Sequence, residues 1–108
     1  QLGILYARGG KAEEAIQLYE KGLEFAPTST LLLNNYANAL AQQGRHQKAI
    51  EIYKRSLDHS TDDPEVYMNL CKAQLALGRS EQAALSYEKA VQRDPSLRDA
   101  YSHLQKQL

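Results

Sequence analysis

Apolar residues recur along this chain at three- and four-residue spacing, in stripes that break and restart at glycines and polar runs. From Thr30 to Leu40, the residues Leu33, Tyr36, Ala37 and Leu40 fall on one face of a helix. Gly44 interrupts. Ala49, Ile50, Ile52, Tyr53 and Leu57 then form a second helical stripe, which ends at Asp58 and the polar run through Asp63. The arrangement returns with Tyr67, Leu70, Cys71 and Ala73, a break at Gly78, and Ala83, Ala84, Tyr87 and Val91. Upstream, Leu2 to Ala7 reads as the end of a helix, followed by Gly10 and a helix carrying Ala15, Ile16, Tyr19 and Leu23.

End signals fall between these stripes. Asp63 before Pro64 is an N-cap and first-turn pair, because the carboxylate accepts an orphan amide while proline has none to lose. Ser96 with Asp99 three residues on has the form of a capping box. Pro27 and Pro95 occupy equivalent places where the chain turns between units, and Thr61 stands there in the middle unit.

The stripes repeat every 34 residues: Gly10, Gly44 and Gly78 share a register, as do Ala15, Ala49 and Ala83, and Tyr19, Tyr53 and Tyr87. That length holds two helices and two short connections, and neither helix buries its apolar face without a neighbouring repeat. The register gives one array over residues 1–108, with a partial first unit 1–29, full units 30–63 and 64–97, and a partial fourth unit 98–108.

The run Leu70, Cys71, Gly78, Ala83, Tyr87, Ala90 and Pro95, with its shifted copy Tyr36, Ala37, Gly44, Ala49, Tyr53, Ser56 and Thr61, resembles the tetratricopeptide repeat family. Leu2, Gly3, Gly10, Ala15, Tyr19, Gly22 and Pro27 make a third copy. The resemblance implies an all-α solenoid of helical hairpins wound as a right-handed superhelix, three repeats plus a partial fourth first helix. Cys71 and Gln105 depart from the small residue usual there, and Gln74 stands where the family prefers an aromatic or leucine.

Composition narrows the function further. With 43% hydrophobic and 24% charged residues the chain is ordinary for a globular domain, and its 13 basic and 13 acidic side chains balance. Neither a nucleic acid nor an anionic membrane surface is the expected partner of such a chain. The longest aliphatic run, Leu31 to Leu33, is far short of the roughly 20 residues of a membrane span. The single cysteine, Cys71, has no internal disulfide partner, which is compatible with a reducing, cytoplasmic setting. It lies on an apolar helix face, as a small hydrophobe would.

Candidate chemistry is sparse. His46, His59 and His103 fall at different repeat positions, so neither a metal site nor a catalytic dyad is expected. Asp58, Asp62, Asp63 and Glu65 lack the ligand alternation and central glycine of a calcium loop. Glu51 with Arg55, and Lys54 with Asp58, have the spacing of exposed ion pairs on a solvated face. No phosphate loop or nucleophile triad is present. Neither enzymatic activity nor a cofactor is expected.

In such a solenoid the first helices line the concave side, because the per-repeat rotation splays the second helices outward. Function should therefore track groove residues: Asn34, Asn35, Asn38 and Gln42, then Met68, Asn69 and Lys72, then Ser102, His103 and Lys106, with Gln1, Ile4 and Arg8 upstream. Gln1, Asn35, Asn69 and His103 share one repeat position. Carboxamides both donate and accept, so such a row is able to hold a peptide backbone with little side-chain preference, resembling the asparagine ladders of the family. The family's co-chaperone domains instead clamp acidic C-termini with two asparagines and three bases. Here Asn38 and Asn69 match the asparagines, but Asn34, Asp99 and His103 stand where the bases belong, so that clamp is not expected. The leading expectation is a protein-interaction scaffold holding an extended peptide in the groove. The alternatives are an array that self-assembles through exposed ends, and the substrate-recruiting arm of a larger enzyme.

Overall fold

The computed structural model describes residues 2–60 and 63–108, with side chains from residue 13 onward except that of Gln105. Side-chain expectations for Gln1, Ile4, Arg8, Thr61, Asp62 and Gln105 lie outside the described residues. The chain is all helical there: α1 (Leu2–Phe25), α2 (Thr30–Gln42), α3 (His46–His59), α4 (Pro64–Ala76), α5 (Ser80–Arg93), α6 (Leu97–Ala100) and α7 (Ser102–Gln105). None of these helices is long and apolar enough to cross a membrane.

Two hairpins, α2–α3 and α4–α5, close on the same device. Gly44 and Gly78 adopt φ of 79° and 74°, a region that costs residues with a Cβ but not glycine. Each glycine amide donates back into the last turn, Gly44 to Ala41 O at 3.0 Å and Gly78 to Leu75 O at 2.9 Å. The following arginines, Arg45 and Arg79, donate to Leu40 O and Gln74 O, each at 2.9 Å. These paired bonds satisfy carbonyls that the helix ends would orphan.

Helix starts are capped where the sequence marks them, with two differences. Asp63 Oδ1 accepts from Glu65 N at 3.0 Å, as expected of its place before Pro64. Ser29, not singled out from sequence, caps α2 by accepting from Leu32 N. The capping box at Ser96 and Asp99 does not form. Asp94 instead accepts from both Ser96 N (3.1 Å) and Ser96 Oγ (2.6 Å), turning the chain before α6.

The outer units depart from the expected hairpins. α1 runs unbroken through Gly9 and Gly10, where a turn was expected. Continuing a helix through glycine costs about 1 kcal/mol per residue relative to alanine, a penalty small enough for a helix to absorb. The fourth unit forms two short helices, broken at Tyr101 (φ −118°, ψ 30°), rather than one.

Two apolar clusters make the core. The first gathers Ile16, Leu23, Leu33, Tyr36, Leu40, Ile50 and Tyr53 with Val66, Leu70 and Ala73 of α4. The second gathers Tyr67, Met68 and Cys71 of α4 with Tyr87, Val91, Leu97 and Leu104. α4 is thus buried on two faces, while α3 and α5 each bury one stripe and expose charges, Glu51, Lys54, Arg55 and Asp58 among them. The repeating tyrosines are core residues: Tyr53 and Tyr87 are fully buried and Tyr19 packs on the first cluster.

Candidate functional site

The first helices α2 and α4 lie against each other, and α3 begins beside them after the Gly44 turn. Between them opens a pocket of about 360 Å³ lined by Asn38, Ala41 and Gln42 of α2, His46 and Tyr53 of α3, and Asn69, Lys72 and Ala73 of α4. The two alanines leave the space; the surrounding polar groups set its chemistry.

Asn38 is the centre of the polar network. The buried Tyr53 hydroxyl donates to Asn38 Oδ1, and Asn69 Nδ2 donates to the same oxygen at 3.4 Å. Burial raises the Tyr53 pKa from 10.0 to about 12, so the hydroxyl keeps its proton and remains a donor. With Asn38 Oδ1 accepting twice, its amide N–H groups remain as donors, while Asn69 retains one N–H and its carbonyl oxygen. Two fixed carboxamides from adjacent repeats therefore present both donors and acceptors, the combination a peptide backbone requires.

Four of the residues expected in the groove, Asn38, Gln42, Asn69 and Lys72, meet in this pocket. Lys72 is exposed and its Nζ sits 4.5 Å from the centre of the Tyr101 ring, whose hydroxyl donates to Glu65 Oε2 at 3.4 Å. The lysine charge is held toward the fourth unit. Asn34 and Asn35 are half-buried on α2 outside the pocket lining, and Asn34 Oδ1 is buried without a hydrogen-bond partner. His103 and Lys106 are exposed, with the His103 ring centre 6.1 Å from that of Tyr101. The partner of Asn69 is thus Asn38, one turn along from the row of equivalent positions.

Met68 does not belong to the groove. It is fully buried in the second cluster, because the face of α4 that the register assigned to solvent packs in the cluster shared with Leu97 and Leu104. His46, which the sequence left as a polar group of the surface or the groove, lines the pocket, and its Nδ1 is buried without a partner. The signal for it was its position two residues after Gly44, where the tight turn brings the start of α3 beside the end of α2.

Cys71 is buried, and its pKa is raised from 9.0 to about 11, by burial first, against a smaller lowering from the Lys72 charge. Such a thiol is protonated at neutral pH and packs as a hydrophobe. Among the described residues, no group of three His, Cys, Asp or Glu side chains comes together.

Comparison with curated protein sequences finds no match. Among solved structures, the first TPR domain of Spaghetti (RPAP3) bound to the HSP90 peptide SRMEEVD superposes with a TM-score of 0.84 at 27% identity, over 97% of this chain and 83% of that one. The first TPR domain of human RPAP3, solved by NMR, gives 0.83 at 27% identity over the same shares. MamA of AMB-1 gives 0.76 at 26% identity over 87% of this chain, which spans about half (51%) of the MamA chain. Family models described as tetratricopeptide repeat match residues 1–64 and 40–108. Each covers more than half of the sequence and their spans overlap, so the chain belongs to the tetratricopeptide repeat family.

Proposed function

We propose that this chain is a protein-interaction module that holds an extended segment of a partner protein along α2 and α4. The observation that carries the reading is the Tyr53–Asn38–Asn69 network, which fixes two carboxamides from successive repeats at one pocket. Tyr53 supplies rigidity from the core; Asn38 and Asn69 supply backbone recognition. The fold it shares with a domain that binds the peptide SRMEEVD supports a peptide as the class of ligand.

The acidic-terminus mode is not the one proposed. Lys72 is the pocket's one formally basic residue and its ammonium lies over Tyr101, while Asn34, Asp99 and His103 occupy the places where further bases would stand. A carboxylate terminus would meet Asp99 with little compensating charge.

The test starts from peptides selected on the wild-type chain by display of random sequences. Asn69→Ala with Gln42→Ala should weaken their binding by roughly tenfold or more, at about 1 kcal/mol per lost hydrogen bond. Thermal unfolding should move little, because both side chains are at least partly exposed. SRMEEVD should bind no more tightly than its scrambled sequence. Unchanged affinity of the double variant for the selected peptides sinks the groove reading.

A second reading, self-association, is favoured by the exposed apolar side chains at the α1 end of the array. Leu18, Phe25 and Leu31 are 68%, 90% and 70% exposed. At the other end of the array Leu104 is buried and Tyr101 and Leu108 pack on the second cluster. Sedimentation velocity across a hundredfold concentration range tests this reading; a constant monomer coefficient removes it.

A further inference from the structure

The opposite face of the solenoid carries a larger opening than the groove pocket. Helices α3 and α5 stand apart over α4, leaving a crevice of about 540 Å³. Its walls bear Lys54 and Leu57 from α3 and Leu85 and Lys89 from α5, and its floor includes Gln74 and Ser86.

The chain contains its own control for this crevice. One repeat earlier, between α1 and α3, the equivalent opening is lined by Glu20, Leu23, Glu24, Lys48, Ile52 and Arg55, which correspond to Lys54, Leu57, Asp58, Gln82, Ser86 and Lys89, and by Tyr36. Two of the differences between them set the ligand chemistry. Leu40 and Ile52, both buried in the first cluster, with Ile52 also lining the earlier opening, become Gln74 and Ser86, also buried, with Ser86 Oγ donating to Gln74 Oε1 at 2.7 Å. That bond occupies the Gln74 oxygen and leaves its amide N–H groups as the floor's donors. On the wall, the carboxylate of Glu20 is replaced by the ammonium of Lys54. Two lysines then face one acidic residue, Asp58, where the earlier opening sets two bases against two acids. Among the described residues neither lysine has a carboxylate within ion-pair distance, and Lys89 Nζ lies 5.9 Å from the centre of the Tyr67 ring, farther than the 4.5 Å between Lys72 and Tyr101. Leu85, 66% exposed, adds an apolar contact at the rim.

We propose that the α3–α5 crevice is a second docking site, for an acidic peptide segment with interspersed aliphatic side chains. Its carboxylates meet Lys54 and Lys89, its aliphatic groups cover Leu57 and Leu85, and a backbone or side-chain oxygen accepts from Gln74. The α1–α3 opening lacks the polar Ser86 and balances its two basic residues, Lys48 and Arg55, with two carboxylates, Glu20 and Glu24, so the excess positive charge belongs to the later unit. This site is independent of the groove and does not rest on the groove reading.

The probe is a synthetic peptide of alternating glutamate and leucine, compared with its lysine-for-glutamate counterpart, on isotope-labelled protein observed by NMR. The acidic peptide should shift the amides of α3 and α5 around Lys54, Leu57, Leu85 and Lys89 saturably, and the basic one should not. Lys54→Glu with Lys89→Glu, both exposed and therefore compatible with folding, should weaken the acidic peptide roughly tenfold, in line with a few tenths to one kcal/mol for each exposed pair. The same variant should gain binding of the basic peptide. Gln74→Leu with Ser86→Ile, which copies the earlier crevice floor, should also weaken the acidic peptide. Crevice amides that do not respond, shifts centred on Asn38 and Asn69 instead, or equal binding of both peptides would each overturn the proposal.

Discussion

Tyr53 and Tyr87 are equivalent residues in successive repeats, both fully buried, yet their hydroxyls have opposite fates. Tyr53 donates to Asn38 Oδ1; the residue equivalent to Asn38 in the next unit is Lys72, whose ammonium is a donor only and lies over the Tyr101 ring. The Tyr87 hydroxyl is left buried with no partner. Leaving such a group unsatisfied costs about 1–3 kcal/mol, whereas a satisfied hydrogen bond contributes about 0.5–1.5 kcal/mol net. Tyr53→Phe should therefore destabilise by about 1 kcal/mol, and Tyr87→Phe should stabilise by a similar amount, the two variants differing by about 2 kcal/mol. At about 4–8 °C per kcal/mol for a domain near this size, their melting temperatures should lie on opposite sides of wild type, about 10 °C apart. Urea titration and calorimetry measure both quantities. Lys72→Asn, which restores an acceptor, should stabilise the wild-type chain but not the Tyr87→Phe chain. Equal destabilisation by the two tyrosine substitutions, or no coupling between Lys72 and Tyr87, would refute the reasoning.

Gly44→Ala and Gly78→Ala should each cost about 1–2 kcal/mol by urea titration, from backbone strain alone, since a Cβ at either position meets no atom within 4 Å. Asn at the same sites should cost less, because its side chain tolerates that region. Stability should fall as pH rises from about 9 through about 12. Folding raises the Cys71 pKa to about 11 and that of Tyr53 to about 12, so both contributions are intact below their ordinary values of 9.0 and 10.0. Each is lost as the unfolded chain releases its proton first. Urea midpoints measured across that range should decline, and Tyr53→Phe together with Cys71→Ala should flatten the decline.

The period-34 register made the fold legible because each helix must bury the same stripe against the next unit, and that requirement writes itself into residue type at Gly44, Gly78, Tyr53 and Tyr87. Asp63 was legible for a local reason, a cap followed by proline. What failed to show were features that depend on which neighbour is present. Met68 and Asn34 share a repeat position, yet one is sealed in the second cluster and the other is half-buried on α2. Gln74 showed only as a departure from the family's aromatic or leucine, because its partner Ser86 lies on the next helix, twelve residues on. The unbroken α1 was hidden for the converse reason: Gly10 matches its equivalents in register, but a glycine permits a turn without imposing one.

The two-faced burial of α4 also divides the molecule's fluctuations. Leu57 packs against both clusters, and α4 joins them; the rest of each cluster belongs to its own side. If α5 to α7 lift away, α4 loses one face but keeps Val66, Leu70 and Ala73 packed on the earlier helices. The groove pocket, built from α2, α3 and α4, survives that opening, whereas the crevice loses a wall with α5. A ligand bound in the groove would therefore leave the later opening free to occur, while one bound in the crevice would hold it closed, and hydrogen exchange would tell the two apart.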